Sequence, residues 1–191
     1  DDGTCIYPQE NYDCEGTCII QDTCGNCQGE AVEYIQVFND CYNIETTISL
    51  DLNNQEITYM PEAITQLVNL QFLNLGFNQI SVIPESIGNL VNLRKLTLTA
   101  NEIISIPNRI GELTNLDTLY LLFNSINNLP ETIGNLTNLS LLDLDWNELT
   151  ILPDEIVGLS NLKTLNLGNN QITVLPDSIG NFVNLEKLFI D

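Results

Sequence analysis

A repeat of 23 residues runs through most of this chain and restricts the folds that it can adopt. Leucine recurs at that interval at positions 50, 73, 96, 119, 142, 165 and 188. A second aliphatic residue follows each of these leucines two places later, from Leu52 to Ile190. Self-similarity at a fixed period of this size indicates a stack of similar supersecondary units. We therefore expect residues 46–191 to form one solenoid of six to seven turns.

The residue types inside each unit predict its local structure. A pair spaced by two, such as Leu73 and Leu75, lies on one face of a short strand, with Asn74 on the other face. A recurring proline is expected at the first position of a helical turn, where its fixed φ and missing N–H are tolerated. A recurring glycine, as at Gly134, is expected to end that turn.

One asparagine in each unit is predicted to point into the stack. An amide side chain both donates and accepts hydrogen bonds, so it can satisfy buried backbone groups of neighbouring turns. Stacked at the same position, these side chains form a structural asparagine ladder. Its expected members are Asn78, Asn101, Asn124, Asn147 and Asn170.

The full pattern, L-x-x-L-x-L-x-x-N-x-I-x-x-L/I-P-x-x-I-G-x-L-x-N, resembles the 23-residue leucine-rich repeat, in particular that of ras-group and related bacterial leucine-rich-repeat proteins. The resemblance covers about three quarters of the chain, and it departs from the pattern at Thr65, Val157 and Phe182. It implies an α/β solenoid, with a curved parallel β-sheet on the concave face and short helices or 3-10 turns on the convex face.

The cysteines are confined to the N-terminal segment. They are Cys5, Cys14, Cys18, Cys24, Cys27 and Cys41. An even number in so short a segment predicts a disulfide framework, which forms in an oxidising compartment, so we expect a secreted or cell-surface protein. The pairing among the 15 alternatives stays open. Residues 1–45 are predicted to cap the first repeat, with Ile35, Val37 and either Phe38 or Tyr42 as apolar contacts.

A structural disulfide framework explains the sequence of the cysteine segment better than a metal-binding or redox role does. A zinc site at Cys14-x3-Cys18 and Cys24-x2-Cys27 has a short loop between its ligand pairs and leaves two cysteines over. A redox role of Cys24 and Cys27 requires a βαβ unit that the flanking sequence does not indicate. The acids Asp1, Asp2, Asp13, Glu15 and Asp22 do not form an EF-hand pattern. The segment resembles short acidic cysteine-rich modules of secreted bacterial proteins, and we expect no metal or cofactor.

The charge balance excludes several function classes. The chain has 26 acidic and 5 basic residues, a formal net charge of −21, and no histidine. Such a polyanion is repelled by nucleic acids and anionic lipid surfaces. Catalysis that depends on histidine cannot occur. No apolar run is long enough for direct membrane insertion. We expect no nucleic-acid partner and no enzyme activity.

The ligand-binding residues are predicted from the outward positions of the strands, which form the concave face of a solenoid. Large apolar side chains at these positions, with an acidic rim, are typical of a protein contact site. The predicted set is Phe72, Phe77, Tyr120, Leu122, Phe123, Leu141, Asp143, Asp145 and Trp146. In the alternative interpretation, Phe77, Phe123 and Trp146 fold over the rim and are only structural.

The predicted function is non-catalytic binding of a protein or peptide. The main alternative is a structural or adhesive spacer in a larger surface protein. A glycosidase with Asp143 and Asp145 as paired carboxylates is disfavoured, because an open sheet should leave both ionised and solvated. The sequence stops at Phe189-Ile190-Asp191 inside the seventh strand without a polar cap. This suggests a shortened chain or an edge that another chain covers, and predicts self-association through that C-terminal edge.

Overall fold

A seven-stranded parallel β-sheet forms the frame of the protein in a computed structural model that describes residues 34–190. An antiparallel hairpin of β1 (Tyr34–Val37) and β2 (Asp40–Asn43) precedes the sheet. The sheet strands follow in sequence order: β3 (Ser49–Asp51), β4 (Phe72–Asn74), β5 (Lys95–Thr97), β6 (Thr118–Tyr120), β7 (Leu141–Asp143), β8 (Thr164–Asn166) and β9 (Lys187–Phe189). The predicted leucine-rich-repeat solenoid is confirmed.

The register of the sheet follows the sequence period. Each residue pairs with the one 23 positions later, as Leu50 does with Leu73 and Leu73 with Leu96. The paired leucines and the second aliphatic column point inward: Leu73 is 1% exposed and Leu75 is 0% exposed. The stacked side chains form one continuous hydrophobic core along the solenoid. Equal repeat length therefore places equivalent residues side by side on the opposite, outward face.

The convex side carries a short 3-10 helix in each repeat. These helices are Glu62–Gln66, Glu85–Asn89, Asn108–Glu112, Glu131–Asn135, Asp154–Gly158 and Asp177–Asn181. Each recurring proline occupies the N-cap in an extended conformation, as Pro84 does with φ −69° and ψ 150°. The prediction that proline takes the first helical position is therefore wrong by one residue. The helix starts at the next residue because the chain is still extended at the proline.

The recurring glycines serve close packing between successive helices. Gly111 and Gly134 are buried inside their helices, which end one residue later, so the prediction that glycine ends the turn is wrong. A Cβ atom placed on Gly111 would lie 2.5 Å from the carbonyl oxygen of Thr132 in the next helix. A side chain at Gly111 would therefore push these two helices apart.

The inward asparagines hydrogen-bond to two turns at once. The Nδ2 group of Asn147 donates to the carbonyls of Leu121 and Leu144, each at 3.0 Å. Its Oδ1 accepts from the backbone N–H of Ile126 at 3.0 Å. Asn78, Asn101, Asn124 and Asn170 make equivalent bonds. We call this set the first asparagine ladder.

A second asparagine ladder lies beyond the 3-10 helices. In each repeat, an asparagine Nδ2 group donates to the backbone carbonyl 24 residues earlier, as Asn138 does to Thr114 at 2.8 Å. The other members are Asn69, Asn92, Asn115, Asn161 and Asn184. The Asn-Leu pair that closes each repeat in the sequence thus links that repeat to the one before it.

The β1–β2 hairpin joins the core of the first repeat. Ile35 and Val37 are buried in the continuous core, and Tyr42 packs against its margin. Phe38 is exposed and meets the ring of Tyr59 edge-on, with 6.2 Å between the centroids. Cys5, Cys14, Cys18, Cys24 and Cys27 lie outside the described residues, as do the acids of that segment. The cap at residues 1–45 and its disulfide framework remain predictions.

The last described strand is less covered than the others. Leu188 on β9 is 40% exposed, whereas its equivalent Leu165 on β8 is 0% exposed. Phe189 and Ile190 are 51% and 43% exposed. Self-association through this edge remains a prediction.

Candidate binding surface

Seven of the nine predicted contact residues lie on two adjacent repeats. Their strands β6 and β7 are hydrogen-bonded neighbours, in which Thr118 pairs with Leu141 and Tyr120 with Asp143. The seven side chains form what we call the central patch: Tyr120, Leu122 and Phe123 from the β6 repeat, and Leu141, Asp143, Asp145 and Trp146 from the β7 repeat. The 23-residue register is what brings these side chains together.

Phe72 and Phe77 lie apart from the central patch. Phe72 is on β4, and β5 separates that strand from β6. The repeat between them places Thr97 and Ala100 at the positions that Tyr120 and Phe123 occupy in the next one. The predicted residues thus form two separate groups along the sheet, of which the central patch is the larger.

Phe123 and Trp146 form an exposed aromatic pair at the edge of the patch. Their rings stack with centroids 5.5 Å apart and an interplanar angle of 25°. They are 48% and 52% exposed, so about half of each residue is accessible to a ligand. Their backbone N–H groups donate to the carbonyls of Asp145 and Gly168 in the following repeats, which fixes both residues just after the C-terminal ends of β6 and β7.

The backbone at this position has an unusual conformation for an aromatic residue. Phe77, Phe123 and Trp146 have φ values of 53°, 54° and 53°, in the left-handed region. Asn54 and Asn169 occupy the same position of their repeats at φ 55° and 47°. Asparagine tolerates this region, whereas an aromatic residue there costs on the order of 1 kcal/mol. The chain thus places aromatic side chains where asparagine fits the backbone better.

The two acids of the patch are held by short backbone and amide contacts. Asp143 accepts a hydrogen bond from the backbone N–H of Asp145 at 3.2 Å. Asp145 Oδ1 accepts from the N–H of Trp146 and from Nδ2 of Asn169, each at 3.0 Å. These two bonds fix the Asp145 carboxylate against the Trp146 backbone and the Asn169 side chain.

Asp143 is less solvated than the sequence suggested. It lies between Tyr120 on β6 and Asn166 on β8. Burial raises the pKa of its carboxyl group, and hydrogen bonds from the Asp145 N–H and the Asn166 side chain offset part of that rise. The expectation that both acids of the pair are fully solvated is therefore wrong for Asp143, because neighbouring strands cover part of its side chain.

The raised pKa of Asp143 leads to a stability prediction. The unfolded carboxyl ionises at a lower pH than the folded one, so ionisation destabilises the fold as pH rises through the folded pKa. Asp143→Asn should raise the unfolding free energy at pH 7 by at most about 1 kcal/mol, after allowance for solvent screening. At about pH 3, below the ordinary aspartate pKa, this gain should be gone. Urea denaturation at both pH values measures it.

Asp51 supplies the control for this variant. It occupies the same place on β3, accepts a hydrogen bond from the backbone N–H of Asn53 at 3.0 Å, and is exposed. Asp51→Asn should therefore leave the unfolding free energy nearly unchanged at both pH values. Equal gains from the two substitutions at pH 7 would show that general charge repulsion, not burial of Asp143, destabilises the protein.

The structure adds three polar residues that the sequence reasoning did not select. Lys95 Nζ lies 5.2 Å from the centroid of the Tyr120 ring. Asn166 and Asn169 flank the acids, and they help to line a cavity of about 480 Å³ next to Asp145. The other lining residues of this cavity are Gly168, Leu188, Phe189 and Ile190. The repeat period could have indicated all three polar residues, because each lies one repeat from a selected residue.

No helix within residues 34–190 has the length and apolar character needed to cross a bilayer. In the same part of the chain, no cluster of three or more histidine, cysteine, aspartate or glutamate side chains could hold a metal ion.

Comparison with known proteins shows what the chain is similar to. A family model described as leucine-rich repeat region matches residues 48–124 and 119–191. No curated protein sequence matches the chain. The ectodomain of the membrane receptor kinase GASSHO1/SCHENGEN3 from Arabidopsis thaliana, solved with CASPARIAN STRIP INTEGRITY FACTOR 2, is 34% identical with a TM-score of 0.66. The match covers 70% of this chain and 17% of the receptor chain.

Two further solved structures are similar. The plant peptide hormone receptor RGFR1, in complex with RGF2, is 31% identical with a TM-score of 0.64, over 74% of this chain and 23% of that one. The leucine-rich repeat domain of the type III effector XopL is 26% identical with a TM-score of 0.70, over 75% of this chain and 51% of that one. This chain thus spans from about a sixth to about half of the length of these proteins.

Proposed function

Because the chain belongs to the leucine-rich-repeat family, we propose that it is a non-catalytic module that binds a protein or peptide on the concave face of its sheet. The observation that carries the proposal is the stacked, half-exposed pair of Phe123 and Trp146. Exposed aromatic side chains that are clustered and rigidly held are the typical anchors of protein contact sites.

The backbone conformation of Phe123 and Trp146 also supports a role of this pair in binding. Both residues are in the left-handed region, where asparagine would relieve strain, and Asn169 shows that the chain uses asparagine at this position of another repeat. A local conformational cost of this kind is often tolerated for function. The similarity to RGFR1, a peptide hormone receptor, supports a peptide or protein as the ligand.

We also propose that the module is extracellular. The six cysteines within residues 1–41 predict disulfides, and stable disulfides form in oxidising compartments. Two of the similar structures are receptors, one of them described as an ectodomain, and this supports the same location.

The binding proposal predicts that the double variant Phe123→Asn plus Trp146→Asn loses ligand binding with its fold intact. Asparagine keeps the backbone of this position, so the melting temperature should change by only a few degrees. Random peptides displayed on phage and selected on the wild-type chain should bind the variant at least about tenfold more weakly, as expected for lost aromatic anchors. Biolayer interferometry with the selected peptides measures the change.

Phe77→Asn is the matched control, because it changes an aromatic residue in the same conformation two repeats away. It should retain binding to peptides that depend on the central patch. If the wild-type chain selects no peptide whose binding depends on Phe123 and Trp146, the proposal is wrong and the spacer interpretation is favoured.

A further inference from the structure

The acids of the central patch have no cationic partner within the described part of the chain. The ion pair found between residues 34 and 190 joins Arg109 to Glu112 at 2.7 Å on a convex-side helix. Asp143 and Asp145 instead accept hydrogen bonds from backbone and amide groups. A carboxylate offers about four acceptor positions. Both acids therefore have capacity to accept further hydrogen bonds from a ligand.

Aromatic rings next to these acids suit a positive charge. Trp146 presents a half-exposed indole and directly follows Asp145, whose carboxylate accepts a hydrogen bond from the Trp146 backbone N–H at 3.0 Å. At the other side of the patch, Lys95 already places its ammonium group over the Tyr120 ring at 5.2 Å. A cation over an aromatic face contributes about 0.5 to 1 kcal/mol at an exposed site. The patch thus combines two features that stabilise a bound cation.

The charge of the whole chain acts in the same direction. With a net charge of −21, the protein attracts cationic segments and repels acidic ones. Partial burial of Asp143 also matters, since a carboxylate with reduced hydration gains more from an opposite charge than a solvated one. Half-buried Leu122 and Leu141 belong to the same patch, Leu141 two residues before Asp143 on β7 and Leu122 two residues after Tyr120 in the preceding repeat.

We propose that the central patch binds an extended segment of its protein partner that carries an arginine beside an apolar residue. The arginine stacks on Trp146 and hydrogen-bonds to Asp143 or Asp145, and the apolar side chain contacts Leu122 and Leu141. Arginine is favoured over lysine because its planar guanidinium both stacks on aromatic rings and forms paired hydrogen bonds with a carboxylate. This inference rests on the proposed binding function and specifies its ligand.

The test analyses which peptides the full chain selects from a random displayed library. The expected result is enrichment of arginine next to leucine, isoleucine or an aromatic residue, relative to the unselected library. Asp143→Asn plus Asp145→Asn should weaken binding of these peptides about tenfold, as expected when charged hydrogen-bond acceptors become neutral. Replacing the selected arginine by lysine should weaken it less than replacing it by glutamine.

The charge-matched control removes two acids from the convex side. Glu62 and Glu131 are exposed first residues of 3-10 helices, and Glu62→Gln plus Glu131→Gln changes the net charge by the same amount. This variant should bind within about twofold of wild type, because exposed charges at a distance are screened by salt. If both charge variants weaken binding equally, the attraction is general and the arginine site is wrong.

The outcomes separate this inference from the proposed function. Selected peptides that lack arginine enrichment, yet lose binding in the Phe123→Asn plus Trp146→Asn variant, would overturn the arginine site and leave the binding function in place. Absence of any peptide that depends on these two aromatic residues would overturn both.

Discussion

Asn147→Ala should lower the unfolding free energy by about 2 to 4 kcal/mol. Asn147 is 7% exposed, the most buried side chain of the first asparagine ladder. Its removal leaves the N–H of Ile126 without the acceptor that now lies at 3.0 Å. A buried donor without a partner costs about 1 to 3 kcal/mol, and the lost amide bonds to Leu121, Leu144 and Asp145 add to this cost. Urea denaturation followed by circular dichroism measures the effect.

Two of the three carbonyls that accept from Asn147 keep a second amide donor in this variant. Leu121 O also accepts from Asn124 Nδ2 at 3.0 Å, and Leu144 O also accepts from Asn170 Nδ2 at 2.9 Å. Leu121 O and Leu144 O therefore each accept one hydrogen bond from the asparagine of their own repeat and one from the asparagine of the next repeat. The first asparagine ladder couples neighbouring repeats through shared acceptors.

This sharing predicts which double variants are non-additive. Asn124→Ala plus Asn147→Ala removes both of these donors from Leu121 O, so its cost should exceed the sum of the single costs by about 1 to 3 kcal/mol. Asn101→Ala plus Asn147→Ala removes two asparagines that share no carbonyl, since Asn101 donates to Leu75 and Leu98. This second pair should be additive. Equal coupling in both pairs would mean that the ladder does not act through shared carbonyls.

Asn138→Ala in the second asparagine ladder is the single-site control. Asn138 is exposed, and its amide makes one bond, to Thr114 O at 2.8 Å. Its loss should cost about 0.5 to 1 kcal/mol, since water can replace the lost donor. A cost as large as that of Asn147→Ala would show that burial does not set the difference between the two ladders.

The sequence predicts the solenoid well because the register of its strands follows directly from the length of the repeat. A fixed interval of 23 places Leu73 beside Leu96 and Tyr120 beside Asp143 without any knowledge of backbone angles. The same counting could have separated Phe72 from the central patch. The repeat length does not give the distance between the backbones of successive 3-10 helices on the convex side. Because that distance is short, Gly134 serves helix packing and does not end its helix, contrary to the prediction from the sequence.

Partial burial is the other property that the pattern does not contain. Asp143 and Asp51 occupy equivalent strand positions, yet Asp143 is half-buried and Asp51 is exposed. The difference comes from the neighbouring strands: Tyr120 and Asn166 flank Asp143, whereas β3 is the edge strand of the sheet. Likewise, the partner of Asn138 depends on the path of the loop before it. Side-chain size and loop path together set such contacts, and neither follows from the repeat alone.

The helix glycines give the second large effect. Gly134→Ala should lower the unfolding free energy by about 1 to 3 kcal/mol, the usual range for overpacking. A Cβ atom at Gly134 would overlap the backbone carbonyl of Glu155 in the next 3-10 helix. A backbone atom cannot rotate aside as the end of a flexible side chain can. The helices Glu131–Asn135 and Asp154–Gly158 must therefore move apart, which weakens the core between them.

Gly180→Ala in the last 3-10 helix isolates this packing effect. No atom lies within 4 Å of a Cβ placed on Gly180, because no described helix follows it in the stack. Alanine reduces the conformational freedom of the unfolded chain in both variants, a gain of about 0.4 to 1 kcal/mol where the native backbone accepts it. Gly180→Ala should therefore be neutral or stabilising, while Gly134→Ala destabilises. If urea denaturation gave both variants the same stability, successive helices could separate freely, and the recurring glycine would need another explanation.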